Sequence, residues 1–554
     1  MSSRTYAALR WAFVALVAVL CAALPGAAAV GAAQGDATSA AVMPWETAGP
    51  YPPFYDLRDQ GKITPVRSQD NFSTCWIQSA MASLESCLLP GALFDFSENN
   101  LADHMGSILD FEGRSDARLS TAYFARWDGP VLERDDPYPR KGRSPEGLRP
   151  VLHVQEVLYL PDRTSALDND ALKWALSTYG AVDTGMAFQA GYNNSDTFAY
   201  YSTKAGLVLD HHVACVGWDD GFPKSRFKET PPGDGAFLIK NSWGTDWGAA
   251  GYFWISYYDA NYGQEMAVFS GSESVSNYDA IYQYDALGWS GSLGYGSDTA
   301  WFANRFHCVG SGTIRAVSFY TPVPGSFYEV RVAGRVADAA VAPPVAAGAV
   351  TLAGYHTVPL ETPIAVANGH VFVVAVKLTS PGRRDPIPLE ARGGLIVPRA
   401  ARGQSYISAD GTSWDDLTTK PGFADANVCL KAFVDARSGH DGRAPKARVW
   451  STQTRARGTA QVRYGLSDPA FSCASAVVTI AALRADGTVL ASTRIPALQV
   501  GEQGVWSFPS GWEAGSYTLV ARAYDVAGNK QAGSTRAVLR VAARATPAGL
   551  PYRR

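Results

Sequence analysis

Four residues of this chain stand in an order that could carry out nucleophilic catalysis: Gln69, Cys75, His211 and Asn241. Cys75 opens the pair Cys75-Trp76, and Gln69 lies six residues ahead of it, in the run Pro65-Val66-Arg67-Ser68-Gln69-Asp70-Asn71-Phe72-Ser73-Thr74. A glutamine placed before a cysteine that begins a helix-like pattern is the arrangement of a thiol nucleophile with an oxyanion-stabilising side chain in front of it. Two later segments complete the set, Leu209-Asp210-His211-His212-Val213-Ala214-Cys215-Val216-Gly217-Trp218 and Ile239-Lys240-Asn241-Ser242-Trp243-Gly244. Cysteine attacks as the thiolate, and an ordinary thiol with a pKa near about 8.5 is mostly protonated at neutral pH, so the chemistry calls for a basic partner and a positive field at the sulfur.

A lone Cys-Trp pair would carry little, because buried cysteine behaves as a small hydrophobe. Three motifs in this order resemble the papain-like (C1) cysteine peptidases. His211 follows Cys75 by 136 residues, within the spacing of roughly 130–150 residues known for that family, and Asn241 stands 30 residues further on. The resemblance implies a Cys75/His211 thiolate–imidazolium pair at a helix N-terminus. It further implies an Asn241 that orients the imidazole, a Trp243 that shields that bond from water, and an oxyanion hole made by Gln69 and the Cys75 backbone N–H. The plain alternative for Gln69, a solvated loop amide, fits its position poorly.

The tandem histidines require a choice. With Val216-Gly217 fixing the register, His211 takes the catalytic position and His212 falls where the family has a small residue. Alternation along a strand sends the two to opposite faces, which makes His212 a packing or surface histidine. Other departures are Phe72 in place of a cysteine, Ser73 in place of a glycine, and the region of Arg114-Ser115 where the family's substrate strip has a Gly-Gly pair. Substrate selectivity is therefore not carried over. The intact quartet favours a peptidase acting on a protein or peptide substrate. The altered strip keeps open a surface adhesin built on a relict peptidase scaffold, and a transpeptidase would use the same acyl-enzyme.

The elements needed to position these residues follow from the pattern around them. Ile77, Met81, Leu84 and Leu88 recur at helical spacing, predicting a helix from Cys75 to about Leu88 with Ser73 or Thr74 as its cap. Strand-like runs around Val213–Val216, Ala236–Lys240 and Tyr252–Tyr257 would carry His211 and Asn241 on a facing lobe. The expected fold class is α+β, a two-lobed papain-like catalytic domain over 51–275 followed by two all-β sandwich domains.

The first of these, over 278–437, contains Tyr284-Asp285-Ala286-Leu287-Gly288-Trp289 and Thr299-Ala300-Trp301-Phe302-Ala303-Asn304, and resembles the lectin-like domain of some bacterial C1 peptidases. That resemblance implies a carbohydrate or cell-surface ligand, although Trp289 itself reads better as sandwich core. A polar linker over 438–446 leads to a second sandwich over 447–543. Its Ala485-Asp486-Gly487-Thr488 hairpin signal and closing Asp525-Val526-Ala527-Gly528-Asn529 resemble Ig-like or fibronectin-like modules. Separated by turn-rich sequence, both modules are expected to act as independent anchors, with a short tail over 544–554.

Composition sets the outer limits. The chain has 554 residues and a formal net charge of −3, which implies about three domains and offers no general basic field for nucleic acid. Residues 1–29 read as a secretory signal, with Arg4 and Arg10 ahead of an apolar stretch and Ala27-Ala28-Ala29 at the cleavage point, followed by a flexible leader over 30–50. No membrane span is expected in the mature chain, and a secreted, extracellular or cell-surface location follows. No cofactor loop or metal-ligand spacing is present. Beyond Cys21 in the signal six cysteines remain, too few for a disulfide scaffold, and Cys308 with Cys429 is the one natural bridge.

Overall fold

The computed structural model describes residues 42–105, 115–139, 143–394, 396–436, 443–468, 475–525 and 528–543. The signal, most of the leader, Arg114, residues 438–442 of the linker, Val526 and Ala527 of the closing turn, and the tail lie outside them.

Three helices matter here: α1 (Cys75–Leu88), α2 (Glu98–His104) and α3 (Ala117–Ala125). Ile77, Met81 and Leu84 of α1 are fully buried, and the helix is enclosed on nearly every side. Each such side chain contributes about 1.5–3 kcal/mol by leaving water. Thr74 occupies the cap position without making a side-chain capping bond. Its hydroxyl is instead engaged with the Tyr138 hydroxyl at 2.7 Å.

Strands β1 (Leu152–Tyr159), β2 (Val182–Met186), β3 (His211–Asp219), β4 (Ala236–Lys240), β5 (Tyr252–Ser256) and β6 (Gln264–Ser274) form the peptidase part of one long sheet. Its order there is β1-β6-β2-β3-β4-β5. β3 and β4 are covered on both faces, which is why they read as near-continuous apolar runs rather than alternating ones. One apolar core gathers around α1, α2 and α3 and a second around β2 to β5, with Cys75 at the seam.

The sheet does not stop at the end of the peptidase segment. Strands β7 (Gly312–Thr321), β8 (Ala353–Val366) and β9 (Leu430–Ala436) continue it, and with four short strands the sheet has 13 strands among the described residues. The join is β8 against β1, with Tyr355 opposite Val157 and His356 opposite Glu156. Tyr320, Tyr355 and Cys429 fill the same core as Trp76 and Phe124. Trp127 stacks 3.8 Å from His153 on one side and 5.4 Å from Phe433 on the other. The expectation of an independent anchor is therefore corrected. Turn residues mark local chain reversals, but they do not reveal that an otherwise bare edge strand, β1, is covered by a strand some two hundred residues later.

Most of the rest of the second segment forms a six-stranded sheet, with a smaller three-stranded one, facing β7, β8 and β9 across a core that includes Phe302, Phe306, Phe319 and Val374. Trp289 is half-buried against Tyr159 and Tyr320. Cys308 and Cys429 are both free, and the expected bridge is absent because they belong to different cores, Cys308 between the two sheets and Cys429 against the peptidase helices.

The last segment is a two-sheet sandwich packed on Val462, Ile480, Leu519 and Leu539. It too is docked. Arg494 donates to His104 Nδ1 at 3.0 Å and lies 3.7 Å from Asp128, both in the peptidase segment.

Candidate active site

The N-terminus of α1 places the Cys75 sulfur at the positive end of a helix, where a thiolate is favoured. β3 presents His211 to it from the other lobe, and the two side chains are hydrogen-bonded. The imidazole Nε2 is 2.8 Å from Asn241 Oδ1, just beyond the end of β4. Since Nε2 is engaged there, Nδ1 is the nitrogen that faces the sulfur. Ser242 N–H donates to the same Asn241 oxygen at 2.9 Å, so the amide oxygen is fixed toward the ring and the ring in turn is fixed toward Cys75.

Trp243 lies over His211 with ring centroids 4.7 Å apart and is itself held edge-on by Phe188 and Trp247. This aromatic cover keeps water from the His211–Asn241 bond, where an exposed hydrogen bond would be weaker.

Burial pushes the Cys75 thiol up. The hydrogen bond and charge of His211, a backbone bond from His212 and the His212 charge outweigh it, and the thiol ends below its ordinary value.

Gln69 is buried, and its side chain is oriented at both ends. Oε1 accepts from Ser242 Oγ at 2.7 Å, and Nε2 donates to the Phe72 carbonyl at 2.6 Å. An amide nitrogen carries two N–H groups, so one remains to be offered to a developing oxyanion. The Gln69 and Asn241 loops are stitched together: Gln69 N donates to Ser242 O at 2.7 Å, Gly244 N to Arg67 O at 3.0 Å, and Ser68 pairs with Trp243.

Several residues of the site carry no local sequence signal. Tyr138 donates to the Gln69 carbonyl at 2.9 Å while also meeting Thr74, so one hydroxyl braces both the glutamine loop and the start of α1. Behind the loop Arg67 is ion-paired with Glu85, Glu98 and Asp95. Nearby, burial raises Glu98 to about 7 and lowers Lys240 to about 8. His212 turns to the opposite face of β3 from His211 but is neither exposed nor apolar in its packing: it is buried between Asp183 and Glu265. A helix-spacing or strand-alternation rule finds none of these, because each partner comes from a distant segment.

Residues 51–271 match the papain family cysteine protease model, and residues 281–434 match that of the lectin like domain. The chain thus carries a papain-family cysteine peptidase domain joined to a lectin-like domain. Among curated relatives, Testin-2 of Mus musculus is 29% identical over 212 residues, 37% of this chain and 60% of its own length. Procathepsin L of Felis catus is 30% identical over 216 residues, 36% of this chain and 59% of its own. The chain spans about three fifths of the length of these relatives.

Of solved structures, the clostridial cysteine protease Cwp84 after propeptide cleavage is similar across 69% of this chain and 99% of that one, with 27% identity and a TM-score of 0.62. A second structure holds the cysteine protease and lectin-like domains of Cwp84, described as a surface layer associated protein of Clostridium difficile. It covers 70% of this chain and 89% of its own at 27% identity and a TM-score of 0.61.

Proposed function

We propose that this protein is a secreted cysteine endopeptidase that hydrolyses peptide bonds through an acyl-enzyme on Cys75. The observation that carries this reading is the relay from Cys75 through His211 to Asn241, with Gln69 tethered to the Asn241 loop through Ser242. The Cys75 thiolate adds to the scissile carbonyl carbon, and the oxyanion is met by Gln69 Nε2–H and the Cys75 backbone N–H. Collapse of that adduct expels the amine, which takes its proton from His211 Nδ1 and leaves a thioester. His211 then accepts a proton from water as the oxygen attacks the thioester, and Cys75 is released as the thiolate beside a protonated imidazole. Asn241 holds the imidazole in one orientation through both proton transfers.

No helix among the described residues is long and apolar enough to cross a membrane. The likeness to a surface layer associated protease supports an extracellular, surface-associated location for this chain. The lectin-like segment is read as the part that meets a glycan or another surface ligand. Trp289 is an unsuitable sugar platform, being stacked on Tyr159 and covered by Arg118.

Hydrolysis of a fluorogenic peptide by the wild type and by Cys75→Ala tests the reading. Loss of turnover in the variant with an unchanged thermal melt is expected, and equal turnover would overturn it.

A further inference from the structure

His212 is clamped between two carboxylates. Its Nδ1 lies 2.9 Å from Asp183 Oδ1 on β2, and its Nε2 lies 3.4 Å from Glu265 Oε2 on β6. Asp183 is fully buried and Glu265 is about half exposed. Two carboxylates on the two ring nitrogens can both be satisfied only by an imidazolium, which donates at both positions. The clamp is enforced by the sheet, since β2 runs beside both β3 and β6 and places Gly185 directly opposite His212. A Cβ at Gly185 would stand 2.9 Å from Leu209 Cδ1 and 3.4 Å from the Glu265 carboxylate, so this position beside the clamp is closely packed.

His212 also bears on the nucleophile: its backbone N–H and its charge both act on the Cys75 thiol in the direction that favours the thiolate. The groups facing it are Cys75 from α1, Asp183 from β2, Glu265 from β6 and its neighbour His211. Arg118 of α3 acts on Glu265, and Arg67, Glu85, Glu98 and Lys240 line the small polar cavity at its back.

We propose that His212 is a positioning residue for Cys75: clamped as an imidazolium between Asp183 and Glu265, it favours the thiolate by its ring charge and by the backbone N–H it turns toward the thiol. Burial works against the charged ring, but Asp183 and Glu265 more than offset it and keep the ring protonated well above the ordinary histidine range. The nucleophile thus has a second cation besides His211. Unlike His211, this one keeps its proton throughout the reaction, because both its N–H groups are already given to carboxylates. The inference rests on the peptidase reading for its purpose but not for its test.

The test is the rate of Cys75 carbamidomethylation by iodoacetamide as a function of pH, with iodide as the leaving group, which reports thiolate without any substrate. His212→Gln keeps a donor toward Asp183 and removes the charge. Its thiolate midpoint is expected to rise by about half to one pH unit, making alkylation about three- to tenfold slower below the midpoint at an unchanged alkaline limit. Asp183→Asn keeps the outline but releases the proton, and a second titration step, missing from the wild type, should appear in the profile. If His212→Gln does not fold, Asp183→Asn carries the test alone.

Profiles superimposable on the wild type in folded variants would overturn the inference, reducing His212 to a packing residue. A midpoint that moves in a protein unable to cleave peptides would sustain it while removing the peptidase reading. An unmoved midpoint in a protein that cleaves them would do the reverse.

Discussion

The hydroxyl of Ser242 donates to Gln69 Oε1 at 2.7 Å, tying the loop that carries Asn241 to the side chain proposed to meet the oxyanion. Because the amide is anchored by its oxygen, its nitrogen is aimed before substrate arrives, which is what pre-organised stabilisation requires. Gln69→Ala is therefore expected to lower kcat by about 10²–10³ with a smaller change in KM. Ser242→Ala leaves the donor in place but untethered, and a loss of about three- to tenfold in kcat is expected, the size of one neutral hydrogen bond. Steady-state kinetics check both, and an effect confined to KM would show that Gln69 does not serve the oxyanion.

Asn241→Ala removes the partner of His211 Nε2 but leaves the ring packed against Trp243, which is itself wedged by Phe188 and Trp247. Activity should fall by less than in His211→Ala. Comparable losses in the two variants would mean that stacking contributes nothing to the orientation of the ring.

Removal of everything after about residue 275 strips β8 from β1 and takes Tyr320, Tyr355 and Cys429 out of the helical core. The fragment is expected to lose its cooperative melt, and the full-length Tyr355→Ala variant should be destabilised by about 3–5 kcal/mol, the usual cost of deleting a buried aromatic. Circular dichroism against temperature decides the matter. A fragment that unfolds cooperatively at the temperature of the whole chain would restore the independent-module view.

Acid should loosen the docking of the last sandwich. Burial holds His104 neutral, down to about 4, and Arg494 adds to that effect. Burial pushes Asp128 up, but the charges of Arg126, His104 and Arg494 hold it well below the usual carboxylate range. The unfolded chain therefore binds more protons than the folded one as pH falls through the ordinary histidine range, and stability drops with it. For His104 the contribution is present above pH about 6.5 and declines toward pH about 4, on the order of 3 kcal/mol in all. The Asp128 contribution follows below the ordinary carboxylate value. Melting temperature should decline over that range in the wild type and less steeply in His104→Gln; parallel curves would contradict the assignment.

Gln69, Cys75, His211 and Asn241, the residues proposed to carry the reaction, can be picked out of the sequence because each sits in a short motif of the residue types that such a reaction needs. The course of α1, β3 and β4 is legible for a similar reason, since helical spacing and buried runs are local signals. The Asp183–His212–Glu265 clamp is not legible, because its members lie in three segments and only the sheet register joins them. The β1–β8 pairing hides in the same way. Nothing in Leu152–Tyr159 says which strand will cover its edge, and a Gly- or Pro-marked turn shows where the chain bends but not what it then packs against.

The central claim is that Cys75 is the nucleophile, activated by His211. Incubation of the mature protein with a thiol-directed epoxide, followed by peptide mapping, addresses it directly. Cys75 should be the labelled residue, with Cys87, Cys215, Cys308 and Cys429 unmodified, because burial raises the pKa of each of those four thiols while that of Cys75 is lowered. Labelling should fall sharply in His211→Ala. An unlabelled Cys75 in the folded wild type, or labelling that is indifferent to the loss of His211, would contradict the account.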